Sequence, residues 1–250
     1  MKDIARQVIV ILSILATLVV NTLANALPIN GLTTGDVSDR FNVYFVPAGY
    51  VFSIWGLIYL GLIAYGIFQA LPAQRDNPRL RATGWWVVLG GLANSAWIFL
   101  WHYEQFPLTL IAMFTLLVSL IMTYLGLKIG RGIVSKAEFW AVRIPFSVYL
   151  GWITVATVAN VTSVLDFIKW DRFGLSEGTW LVIMLIVVLA ITAAMLFTRR
   201  DAAFTVVILW ALEGIAIKFA SDSVVTIPTW TVFGLIVLAL GWVFLGKKRA

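Results

Sequence analysis

The 250-residue chain has no cysteine and one histidine, and only 12% of its residues are charged. Without cysteine there is no disulfide framework and no thiolate metal site. The lone His102 cannot assemble an imidazole-rich centre, so no metal is expected. The charged fraction is about half that of an ordinary soluble domain, which excludes a cytosolic globule. What the chain has instead is apolar bulk: 61% hydrophobic and 14% aromatic residues, with 12 tryptophans. Long apolar runs between short charged loops suit a multi-span helical membrane protein, whose helices satisfy their own backbone groups in hydrocarbon.

A hydrocarbon core of roughly 30 Å takes about 20 apolar residues per helix. Runs of that kind cover 8–27, 47–70, 85–103, 107–127, 144–165, 179–197, 203–220 and 228–245. The expected fold is therefore an all-α integral membrane protein of eight transmembrane helices. Pro107 and Pro228 open the fourth and eighth runs, where a missing N–H costs nothing. With the N-terminus inside, fourteen Lys and Arg fall in inner segments, Lys247, Lys248 and Arg249 among them. Only Arg40, Lys169 and Arg172 fall in outer loops, while Lys218 lies within a span. This bias predicts both termini cytoplasmic, with a bacterial cytoplasmic membrane as the expected setting. It accounts for the net charge of +6 without a nucleic-acid partner and adds attraction to anionic lipid heads.

The first run has two readings. Lys2 and Arg6 before it and Ala24-Asn25-Ala26 near its end fit a cleaved leader, which would leave seven helices. Its length, out to Leu27, favours a retained span.

Polar and aromatic residues form stripes on three helices. Phe52, Trp55 and Tyr59 recur at i, i+3, i+7 on the second. Asn94, Trp97 and Trp101 do so on the third, and Tyr149, Trp152, Ala156 and Asn160 share a face of the fifth. Asn94 and Asn160 should point inward, because an amide facing lipid goes unsatisfied. Trp55, Trp97, Trp101 and Asn160 all fall in the outer half of the membrane. They are expected to line an outward-opening cavity with indole walls and a few orienting amides. Segment 28–46, with Asn30-Gly31, Gly35 and Tyr44, is long for a helix connection and is read as its lid. Trp85, Trp86, Trp140, Trp170, Trp180, Trp230 and Trp242 lie near span ends and are assigned to the membrane interface.

Pro47 followed by Trp55-Gly-Leu-Ile-Tyr59, Asn94-Ser-Ala-Trp97, and Tyr149-Leu-Gly-Trp152 with Ala156-Thr157 and Asn160 together resemble the TspO/MBR family of tryptophan-rich sensory (translocator) proteins. The resemblance covers about residues 1–165, a five-helix unit, and leaves 166–250 as a three-helix extension. The chain departs from the family pattern at Val46, where a second proline is usual, at Val148, and at Val161, where the sterol-type motif carries tyrosine. The resemblance implies a pocket inside the bundle for a porphyrin or another hydrophobic aromatic small molecule. Its site residues would be Trp55, Tyr59, Asn94, Trp97, Tyr149, Trp152 and Asn160. Indole faces suit a flat macrocycle, with offset contacts worth about 0.5–1.5 kcal/mol each beyond area burial. Arg40 and Tyr44 are candidates for the lid or rim, and Lys169 and Arg172 are further cations for acidic side groups. No cofactor is required.

Glu213 is the sharpest anomaly in the extension. The sequence places it about ten residues into the seventh helix, near mid-membrane, where a carboxylate suggests proton or ion handling. A small-molecule or ion transporter using Glu213 and the last three helices is therefore the alternative function. The bland reading has Glu213 hydrogen-bonded between helices and Lys218 snorkelling outward. His102 and Glu104 are expected at the interface. No nucleophile, base and acid come together, so no catalytic residue is named. Gly91 and Ser95 form a small-xxx-small pair that would allow close helix packing or a homodimer contact.

Overall fold

The computed structural model describes residues 2–27 and 29–246. Lys247, Lys248 and Arg249, counted with the inner charges, and Pro28 of the lid segment lie outside the described residues. Among the described residues there is no strand. Eight long helices follow one another: α1 (Lys2–Ala26), α2 (Ile54–Ala70), α3 (Pro78–His102), α4 (Phe106–Gly126), α5 (Ile144–Phe167), α6 (Glu177–Arg199), α7 (Ala202–Lys218) and α8 (Ser223–Leu245). Seven of the eight, all but α7, are long and apolar enough to cross a membrane. With 17 residues, α7 spans about 25 Å, at the short end for a crossing helix.

The helix ends follow local chemistry. Asn77, Ser176 and Asp222 cap α3, α6 and α8 through side-chain oxygens that accept from Arg79, Thr179 and Val224 amides. The Asp222 cap starts α8 five residues ahead of Pro228, so that proline lies inside the helix and does not open it. Likewise α3 begins at Pro78, well before its apolar run, because Asn77 caps it there and Pro78 needs no N–H partner in the first turn. Ahead of α5 the segment Phe139–Arg143 is a π-helical turn. Pro145 lacks the N–H that would close the preceding α-turn, and the wider turn accommodates its ring. That ring rests on Gly61 of α2, where a Cβ would stand 2.9 Å from Pro145 Cβ.

One continuous apolar core runs through the bundle, drawing on α1 to α8. The short α7 is its most interior member outside α5: nine of its residues are buried, against α5, α6, α8 and the Gly49–Ser53 turn before α2. The outward faces remain apolar, with Leu57, Leu60, Ile63 and Ile67 on α2 and Leu238 and Trp242 on α8 all exposed. Such faces are solvated by lipid, not water.

The Gly91 face is committed within the chain. A Cβ there would meet Ser13 Oγ at 2.3 Å and Thr17 Oγ1 at 2.9 Å, both on α1. Gly91 therefore seats α1 on α3, the close helix packing that its spacing allows.

Candidate functional site

Near one end of the bundle, the end bearing segment 29–53, α1 to α5 enclose a cavity. This is called the lid end; the opposite end carries Arg6, Arg75, Arg79, Arg81, Arg143, Arg199 and Arg200. The wall takes in all seven residues named from the stripes: Trp55, Tyr59, Asn94, Trp97, Tyr149, Trp152 and Asn160. The 3.6-residue period brings each set to one side of its helix, and the packing of α2, α3 and α5 turns those sides toward one another.

Two aromatic sets shape the wall. Phe52 stands edge-on to both Trp55 and Trp152, with ring centres 5.5 and 5.6 Å apart. Trp97 stacks on Trp101 at 5.1 Å and 18°. Trp152 is only 3% exposed, so its ring is held by its neighbours.

The amides brace the helices around the hollow. Asn21 of α1 donates to Asn94 Oδ1 at 2.6 Å, and Asn94 donates to the Tyr149 hydroxyl at 2.9 Å. The Trp97 indole N–H donates to Asn160 Oδ1 at 2.9 Å, and Asn160 donates to Thr109 Oγ1 at 2.8 Å. Two chains of hydrogen bonds thus tie α1, α3, α4 and α5 at the depth of the cavity. The Tyr59 hydroxyl, buried on the same wall, has no hydrogen-bond partner among the described residues. The closed cavity has a volume of about 70 Å³.

The lid is held down from several sides. Its short helix Thr34–Ser38 is closed by a capping box between Thr33 and Asp36, and Thr34 and Ser38 face the cavity. The Thr33 hydroxyl and amide hold the Asp36 carboxyl below its ordinary value of 3.8. A depressed carboxyl stabilises the cap above that value and loses its hold as pH falls through the folded value. Amide signals of Thr33 and Asp36 should therefore stay fixed from neutral pH downward and move only below 3.8. Movement at higher pH would show that the capping box does not hold the carboxyl down.

His102 corrects the interfacial expectation. It is 0% exposed, with Nδ1 3.0 Å from Ile29 O and Nε2 2.9 Å from Thr34 Oγ1. A carbonyl only accepts, so Nδ1 carries a proton there, and Nε2 is hydrogen-bonded with the Thr34 hydroxyl. Both nitrogens are engaged in pinning the lid. Trp101 adds a bond from its indole to Thr34 O at 3.2 Å, and Lys218 of α7 pairs with Asp39 at 2.8 Å.

Arg40 and Tyr44 are not on the cavity wall. Arg40 pairs with Glu104 at the end of α3, half exposed. Tyr44 packs edge-on to Phe219 at 5.5 Å, and the Asp222 carboxylate beside its hydroxyl raises its pKa. Lys169 is exposed beside Asp166, and Arg172 pairs with Glu177.

Glu213 is the twelfth of 17 residues in α7, about 8 Å along the helix from the terminal Lys218 and about 5 Å from its middle. The Tyr50 hydroxyl donates to Glu213 Oε2 at 2.7 Å, joining α7 to the turn before α2.

Asn21, Thr34, Ser38, Met113 and Leu116 also line the cavity and carry no motif. Asn21 obeys the rule that picks out Asn94, an amide within an apolar run, and is found by applying that rule to the first helix. Nothing in the sequence marks Met113 or Leu116.

Fold and site define a helical membrane protein that encloses an aromatic-walled, amide-braced cavity within its bundle. The chain belongs to the TSPO-like protein family, which matches residues 7–244. That span takes in α6 to α8, beyond the five helices on which the motifs lie. No curated protein and no solved structure matches the chain.

Proposed function

We propose that the protein is a membrane ligand-binding or sensory protein whose cavity takes a flat hydrophobic aromatic molecule, with a porphyrin as the leading class. The observation that carries this reading is the convergence of Trp55, Trp97 and Trp152 with Tyr59, Tyr149 and two amides on one wall. Ligand sites of this kind are mostly apolar with a few fixed polar groups. The braced amides preorganise the wall, and the Tyr59 hydroxyl offers a donor. A tetrapyrrole needs more room than the closed cavity leaves, so binding includes a lifted lid, with the Thr34 and Asp39 contacts broken. The basic bias of the opposite end supports a lid facing outward, with both termini cytoplasmic.

Transport through Glu213 is less well supported. Its carboxylate is hydrogen-bonded to Tyr50 and is not on the cavity wall.

The test is a titration of the purified protein with a porphyrin, read by quenching of the porphyrin's fluorescence. Loss of one indole contact removes stacking and burial together, so Trp55→Ala and Trp152→Ala should each weaken binding about 5- to 100-fold. Trp152→Phe should keep part of the affinity. Unchanged affinity in both alanine variants would remove the ligand from this cavity.

A further inference from the structure

A second hollow lies beside the first and shares no residue with it. α6 packs on α7 and α8 and stands away from α5, leaving a wedge between them at the lid end. Phe114 of α4, Val158 and Val161 of α5 and Met184 of α6 line its depth. Its volume is about 290 Å³, against about 70 Å³ for the first cavity. An apolar gap of this size, walled by crossing helices, is filled by something in a bilayer, because bare walls forfeit their dispersion contacts.

The mouth is polar and built. Asp166, Trp170, Arg172, Glu177 and Trp180 surround it, with Tyr44 reaching in from the lid. The turn carrying Arg172 is fixed: the Asp171 side chain caps it, and the Trp180 indole donates to Arg172 O at 2.9 Å. Trp170 and Trp180 lie 5.0 Å apart and mark the depth of the headgroups. The charges lining this mouth are two carboxylates and one guanidinium, itself paired with Glu177, and Lys169 stands 3.9 Å from Asp166 at its edge. A purely anionic headgroup finds no unpaired cation there and leaves both carboxylates without a ligand cation. A headgroup with both phosphate and ammonium is complementary: phosphate toward Arg172, ammonium toward Asp166 and Glu177 and against the aromatic faces.

We propose that the wedge between α5 and α6 is a site for one glycerophospholipid with a zwitterionic, ammonium-bearing headgroup. Its acyl chain descends past Val161 and Val158, about 9 and 13 Å below the end of α5. The occupant seals the α5–α6 gap that protein packing leaves open.

The full chain is reconstituted in vesicles of equimolar palmitoyl-oleoyl phosphatidylethanolamine and phosphatidylglycerol, re-extracted in mild detergent, and its retained lipid weighed by native mass spectrometry. One phosphatidylethanolamine should be retained in preference to phosphatidylglycerol. Val158→Trp and Met184→Phe, which fill the wedge from opposite walls, should each lower retention about tenfold at unchanged helical content. Asp166→Asn combined with Glu177→Gln should keep a lipid but lose the headgroup preference. Undiminished retention in a folded filling variant, a preference for phosphatidylglycerol, or displacement by cholesterol added to the vesicles would each overturn the proposal. Porphyrin binding has no part in this readout, so the two sites stand or fall separately.

Discussion

Asp201→Ala is expected to cost about 3–5 kcal/mol of stability, the largest single-residue loss outside the aromatic wall. Asp201 is only 7% exposed and gathers three helices at the basic end. Its Oδ2 accepts from Tyr124 of α4 at 2.8 Å and from Ser147 of α5 at 2.6 Å, while Oδ1 caps α7 through the Phe204 amide at 3.0 Å. Removing the acceptor strands two buried hydroxyls, each at about 1–3 kcal/mol, and a helix-end N–H at about 1 kcal/mol. Arg199, which reaches over the Tyr124 ring at 5.9 Å, loses an anion close by. Asp201→Asn keeps a carbonyl acceptor in place and should lose much less. Thermal unfolding in detergent, followed by tryptophan fluorescence, separates the two. An alanine variant within about 1 kcal/mol of the parent would mean that water already serves these groups.

The existence of the helices was legible because a bilayer demands runs of about 20 apolar residues. The stripes were legible because helical period converts spacing into a shared face. Trp55, Asn94 and Trp152 therefore meet where their spacing places them. What stayed hidden depends on partners distant in sequence. The burial of His102 requires the lid to fold over the end of α3, which no local pattern announces. The Tyr50 partner of Glu213 was hidden likewise, because it comes from the turn before α2, 163 residues away. Gly91 illustrates the same limit. Its small size was visible, but whether it admits another chain or α1 was decided by Ser13 and Thr17.

No residue of α6, α7 or α8 lines the first cavity, yet α7 sets the position of one of its walls. Pro47 and Phe52 of that wall belong to the segment that enters α2, and this segment lies on α7 at Gly214. The Ala48 amide donates to Gly214 O at 3.1 Å, and the Trp210 indole donates to Val51 O at 3.1 Å. Contact this close is allowed only by the missing side chain. A Cβ on Gly214 would stand 2.1 Å from Val51 Cγ2 and 3.3 Å from Pro47 Cβ. Val51 is 0% exposed and β-branched, so it cannot rotate away, and the segment must move. Gly214→Ala should therefore cost about 1–3 kcal/mol by overpacking. It should also weaken porphyrin quenching, because Phe52 moves with Val51 and stands between Trp55 and Trp152. Val51→Ala removes the clashing methyl and leaves its Cβ at 3.4 Å from the added carbon, ordinary contact after a slight shift. The double variant should thus lose less stability than the two single losses added together, and part of the quenching should return. Additive losses in that cycle would show that the strain lies elsewhere than between Gly214 and Val51. Recovery of both readouts would show that a helix outside the pocket fixes the ring at the pocket's centre.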